Sequence, residues 1–142
     1  MKKRKVIHKT IPVKIPSKHS VLYDCIFNQQ VDVFLNYTPE KYKNWLNREK
    51  IKDVDNKYLN NFAGWTGEYT DENDKQKVII FIPKFDWTIK DQGTLVHEIV
   101  HAIIKIWSRN NIQFNSDTQE FLAHSISNLY EDTCRKLLVK MK

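Results

Sequence analysis

Residues 94–107 read T-L-V-H-E-I-V-H-A-I-I-K-I-W, and the fold turns on how this stretch is taken. Its apolar residues, among them Leu95, Ile99, Val100, Ile103, Ile106 and Trp107, surround a helix almost completely. That is the pattern of a buried helix. The main polar stripe is His97, Glu98 and His101, continued by Lys105 and Ser108. Residues four apart on an α-helix are offset by about 40° and stacked one turn apart, so His97 and His101 project from one face. Glu98 lies about 100° from His97 and about 60° the other way from His101. Two neutral imidazoles able to share one ion, beside a carboxylate that is not itself a ligand, describe a zinc site with a base for its bound water. The bland alternative is a pair of core histidines hydrogen-bonded to backbone or carboxylate, since polar groups in a buried helix must find partners.

Composition bounds the rest. The chain has 142 residues, 41% of them hydrophobic and 12% aromatic, enough for one domain with a real core. No apolar run approaches the length of a membrane span. The start, M-K-K-R-K, has the charge of a signal-peptide n-region, but no uninterrupted apolar segment follows it. Cys25 and Cys134 are too few for a disulfide framework and lack zinc-ribbon spacing, which favours two buried thiols in a reducing compartment over a single bridge. The formal charge is +6, yet only four of the 23 basic residues are Arg and no basic stripe recurs. This favours a solvated Lys-rich surface over a nucleic-acid footprint.

Working outward, residues 1–20 are basic and then Pro-punctuated, with a short edge strand expected within Val6–Val13. Period-two alternation predicts strands over Val21–Phe27 and Val31–Tyr37, with Asn28, Gln29 and Gln30 as a hairpin turn or an interruption. Thr38-Pro39-Glu40 predicts a helix start, with Thr as N-cap and an apolar stripe of Tyr42, Trp45 and Leu46 through about Lys50. The Asp- and Asn-rich segment around residues 53–61 reads as a loop. Phe62–Thr70 predicts a strand weakened by Gly64 and Gly67, and Asp71–Asp74 a turn. Val78–Ile82, wholly apolar and closed by Pro83, predicts a central strand covered on both faces. Asp91 is the expected N-cap of the His97 helix. Ser116 and Gln119, at capping-box spacing, open a last helix running to about Lys140. Its core stripe is Leu122, Ile126, Leu129, Thr133 and Leu137, with Glu120, His124, Ser127 and Glu131 on another face.

A catalytic zinc wants three protein ligands and an open position, and the motif supplies two. The extension H-x-x-G-x-x-H fails, because Ile104 and Trp107 occupy the required positions. The remaining candidates lie on the last helix, where Glu120 and His124 share a face four residues apart. Glu120 sits in its first turn, directly after the chain-reversing loop, and so is expected nearer the motif. His124 is expected one turn deeper, better placed to contact a ligand than to bind the ion.

T-L-V-H-E-I-V-H-A-I followed by T-Q-E-F-L-A-H resembles a minimal zincin metallopeptidase of the gluzincin type, as found among phage and prophage proteins. The resemblance covers roughly residues 62–130. It implies an α+β fold: a small mixed β-sheet packed against two to three helices, the active-site helix and the C-terminal helix holding Zn²⁺ through His97, His101 and Glu120. It also implies that Phe62–Thr70 is an edge strand pairing with a peptide substrate. Larger relatives place an Asp four residues after the ligand Glu, where this chain has His124. The expectation is a single domain over residues 1–142, a cytoplasmic zinc peptidase of a bacterial or phage-infected cell. Glu98 would activate the zinc-bound water, and the partner would be a peptide or protein substrate. Two other readings compete. One is a SprT-like metalloprotease acting near DNA, which the +6 charge favours slightly. The other is a non-catalytic interaction or virion protein on the same scaffold.

Overall fold

The computed structural model describes residues 16–51 and 63–137. Among them the chain forms β1 (Lys18–Tyr23), β2 (Gln30–Leu35), α1 (Pro39–Arg48), β3 (Trp65–Thr70), β4 (Gln76–Ile82), α2 (Ile89–Arg109) and α3 (Gln119–Leu137). The strands make one sheet in the order β1-β2-β4-β3. β1 pairs antiparallel with β2, β2 parallel with β4, and β4 antiparallel with β3. The expected α+β class with a small mixed sheet and three helices is therefore correct. The Val6–Val13 strand and the loop at 53–61 fall outside the described residues.

Register divides the side chains cleanly between two layers. Val31 faces Val78, Val33 faces Ile80 and Leu35 faces Ile82, and all six side chains are fully buried under α2 and α3. The alternate positions, Phe34, Ile79, Phe81 and Tyr69, meet Tyr42, Trp45 and Leu46 of α1 on the other face. β4 is thus covered on both sides, as its unbroken apolar run predicts. Each fully buried aliphatic or aromatic side chain there contributes about 1.5–3 kcal/mol.

Several boundaries move for identifiable reasons. β1 begins earlier than the alternation suggests, since Lys18–Ser20 already pair with β2, and ends earlier because Asp24 leaves the strand. Its carboxylate accepts from the backbone N–H groups of Ile26, Phe27 and Gln29 and builds the turn. Thr38 caps α1 as expected, accepting from the Lys41 N–H. The N-cap of α2 is Thr88 rather than Asp91, which instead closes the capping box from the third helical position. The turn before α3 is organised by Asn115, whose side-chain oxygen accepts from the N–H groups of Asp117 and Thr118, rather than by Ser116. Cys25 is exposed and Cys134 partly buried, so the pair of buried thiols is corrected to two free cysteines of different environment. Burial raises the pKa of the Cys134 thiol.

Two polar devices pin the layers together. Asn36 closes β2 in the left-handed region (φ 58°) and clamps the Phe85 backbone from both sides. Its amide donates to the Phe85 carbonyl, and its oxygen accepts from the Phe85 N–H. Asp32 interrupts the apolar run of β2 and is only 1% exposed. It accepts from the Tyr69 hydroxyl and the Gln30 amide on one oxygen, and its other oxygen pairs with His19 Nε2 at 2.8 Å. His19 stacks flat on Phe34. A buried carboxylate persists only with such partners, and these tie β1, β2 and β3 together. No helix of the described residues is long and apolar enough to cross a membrane.

Candidate functional site

The α2 helix is two-faced, not buried all round. Leu95, Ile99, Ala102, Ile103, Ile106 and Trp107 enter the core, while His97 and His101 are exposed, flanked by partly exposed Val96 and Ile104. One turn of helix brings the two imidazoles together as the spacing requires. Their Nε2 atoms lie 3.1 Å apart and their rings cross at 78°. One ring therefore donates an N–H to the lone pair of the other.

Glu98 does what an adjacent helical position dictates and turns away from the pair. It is 5% exposed and faces β3. There the Thr66 hydroxyl lies 2.5 Å from its carboxylate and 3.1 Å from its own backbone carbonyl. A hydroxyl carries one hydrogen, and the carboxylate is the stronger acceptor, so Thr66 donates to the side chain. Gly64 makes room for this contact. A Cβ at Gly64 would stand 2.8 Å from Glu98 Cγ and 3.0 Å from Thr94 Cγ2. Farther along the same two elements, Glu68 of β3 pairs with Arg109 at 2.9 Å. β3 and α2 consequently run side by side in the same sense.

Between them lies an open cleft of two adjoining parts. One, about 420 Å³, is lined by Gly64, Trp65, Thr66, His97, Glu98, His101 and Lys105. The other, about 430 Å³, shares Gly64, His97 and Glu98 and extends to Ala63, Lys90, Gly93 and Thr94. Among the described residues, β3 is the end strand of the sheet on this side. Reading the sequence alone misses Thr66 and Gly64 as partners of Glu98. The one local signal was a pair of glycines in a strand, a pattern that often marks close approach of another backbone or ligand.

Glu120 and His124 keep their helical relation but pair with each other, at 3.4 Å, and both are highly exposed. Neither lines the cleft. Among the described residues, no group of three or more His, Cys, Asp or Glu side chains is arranged to hold a metal ion. Two imidazoles meet, the nearby carboxylate is committed to Thr66, and Glu120 is committed to His124. This overturns the zinc cofactor and, with it, the reading as a zinc metallopeptidase. The Glu-activated water loses its metal, and the gluzincin-type zincin resemblance loses the ligand set that defined it. The SprT-like metalloprotease falls on the same ground, and so does the zincin scaffold of the other alternative, but a non-catalytic interaction role needs no metal and is untouched by it. The H-E-x-x-H spacing is real, but it yields a histidine pair and a separate buried glutamate. Comparisons with protein-family models, with characterised proteins and with solved structures find no match to this chain.

Proposed function

We propose that this chain binds an extended polypeptide segment along the outer edge of β3, with the cleft between β3 and α2 receiving its side chains. The observation that carries this reading is the juxtaposition of an end strand with a contiguous polar-floored cleft. An end strand presents unpaired backbone groups on its outer side, and adding a strand there is a recurrent mode of peptide recognition. Backbone pairing supplies affinity, and a neighbouring pocket supplies selectivity for alternate side chains.

Each cleft residue has a part in this reading. His97 and His101 are exposed and offer imidazole donors and acceptors to a guest. Glu98, buried and held by Thr66, closes the floor. Trp65 lies across Gly67, since a Cβ at Gly67 would collide with its ring, and it forms part of the cleft wall.

The test is a panel of eight-residue peptides of high strand propensity, titrated against the full chain. Binding is read by fluorescence anisotropy and by amide hydrogen exchange. The expected result is saturable binding that slows exchange at Trp65–Thr70 and is lost when alternate peptide nitrogens are methylated. Protection confined to other elements, or indifference to N-methylation, would refute strand addition. Binding abolished by a chelator, or cleavage of the peptides on adding a divalent metal, would also overturn the reading.

A further inference from the structure

Resting on that reading of the β3 cleft, we infer that its guest is an acidic segment, with carboxylates near both ends of the stretch that lies in the cleft. The inference comes from which charges line the walls. Lys90 closes one end and Lys105 the other. Between them stand His97 and His101, which carry zero or positive charge. Among the described residues, the only acidic side chain lining either part is Glu98, and it is 5% exposed and already bonded to Thr66. Glu68, the next acid along β3, is neutralised by Arg109. Among the described residues, a guest therefore meets ammonium and imidazole groups and almost no exposed carboxylate. Complementary potentials of this kind set partner choice and encounter rate more than raw affinity.

Geometry adds a spacing. Lys90 and Lys105 are fifteen residues apart on one helix, so their Cα atoms are separated by about 22 Å. An extended chain rises about 3.3 Å per residue, so that distance corresponds to six or seven residues. Both lysines line the cleft, and six is the spacing to test. A peptide with Glu at positions one and seven should engage both ammonium groups. One with two adjacent Glu can engage only one.

The experiment uses the full chain and four peptides of the same backbone: Glu at positions one and seven, adjacent Glu, Lys at one and seven, and Gln at one and seven. The expected order of affinity is spaced Glu, adjacent Glu, Gln, then Lys. Exposed ion pairs of this kind are each worth about two- to fivefold in affinity. The Lys90→Gln and Lys105→Gln variants should each remove that factor for the spaced Glu peptide and leave the Gln peptide unchanged. The double variant Lys90→Glu with Lys105→Glu should reverse the order and prefer the Lys peptide. All three variants change exposed or half-exposed side chains, so folding is not at risk, and the Gln peptide reports directly on an intact cleft. If all four peptides bind equally, or the Lys peptide binds best to the unaltered chain, the acidic guest is refuted while strand addition stands. If none binds, both readings fall. Tighter binding of a single-stranded oligonucleotide, lost in the same lysine variants, would replace the acidic peptide by a nucleic acid.

Discussion

Replacing Thr66 by Val isolates the contact that fixes the cleft floor. Valine keeps the shape and β-branching of threonine and suits a strand, so the change removes little beyond the hydroxyl. That hydroxyl is the donor to a carboxylate that is 5% exposed. A hydrogen bond to a charged group is worth about 1.5–3 kcal/mol, and a buried acceptor left without its donor incurs its full desolvation. The cleft admits some water to Glu98, which places the expected loss near the lower end, about 1.5–2 kcal/mol. Glu98→Met tests the cause. With no carboxylate to satisfy, Thr66→Val should then cost no more than about 0.5 kcal/mol, and the coupling between the two positions should be about 1–2 kcal/mol. Urea unfolding of the four proteins measures this through the midpoint at constant slope. Additive effects within about 0.3–0.5 kcal/mol would show that the two side chains do not interact in solution. The floor of the cleft would then have to be redrawn.

Other consequences are open to measurement. Burial and the Asp32 carboxylate push the Tyr69 phenol well above its ordinary value of 10.0. Tyr69 thus contributes stability that is full below pH 10 and drains as pH rises beyond it. Unfolding followed from pH 9 to 11.5 should show a shallower alkaline fall for Tyr69→Phe than for the unaltered chain, the difference approaching about 1.4 kcal/mol per pH unit. Identical slopes would remove Tyr69 from the buried network. Asn36→Ala loses both bonds to Phe85 and strains a φ of 58°, for a total of about 2–4 kcal/mol. Asn36→Gly should recover the backbone share, about 1 kcal/mol, and equal losses in the two variants would argue against strain. Because only two imidazoles converge among the described residues, a chelator should leave the melting temperature unchanged. A drop reversed by zinc would show that a third donor joins His97 and His101, and would restore the metal reading.

The fold was legible where the hydrophobic period was strong and local chemistry agreed with it. Val78–Ile82 announces a central strand because nothing in it tolerates water, and it lies between β2 and β3 with every side chain buried. Thr38-Pro39 announces α1 because its cap and first turn are written in three residues. Boundaries failed where a single side chain took over the backbone. Asp24 ends β1 by gathering three N–H groups, which the Val-Tyr-Cys-Phe alternation cannot reveal. Asp32 was invisible for the opposite reason. An acid inside an apolar strand looks like a solvent-facing position until the partners from β1 and β3 are known.

The candidate site divides in the same way. Helical geometry alone places His97 beside His101 and turns Glu98 aside, and the structure has both. What one helix cannot state is what lies across from it. The sequence pairs Glu120 with His124 at helical spacing, and that local relation is the one realised, at 3.4 Å, rather than the distant one with the histidine pair. Glu98 likewise finds its partner thirty-two residues back, on a strand whose glycine leaves the space for it. The zinc expectation treated the carboxylate as a base beside a metal-bound water. Its burial against Thr66 makes it part of the wall between helix and sheet. The exposed chemistry of this face is therefore left to the imidazoles and the two lysines, and it is these that a guest strand would meet first.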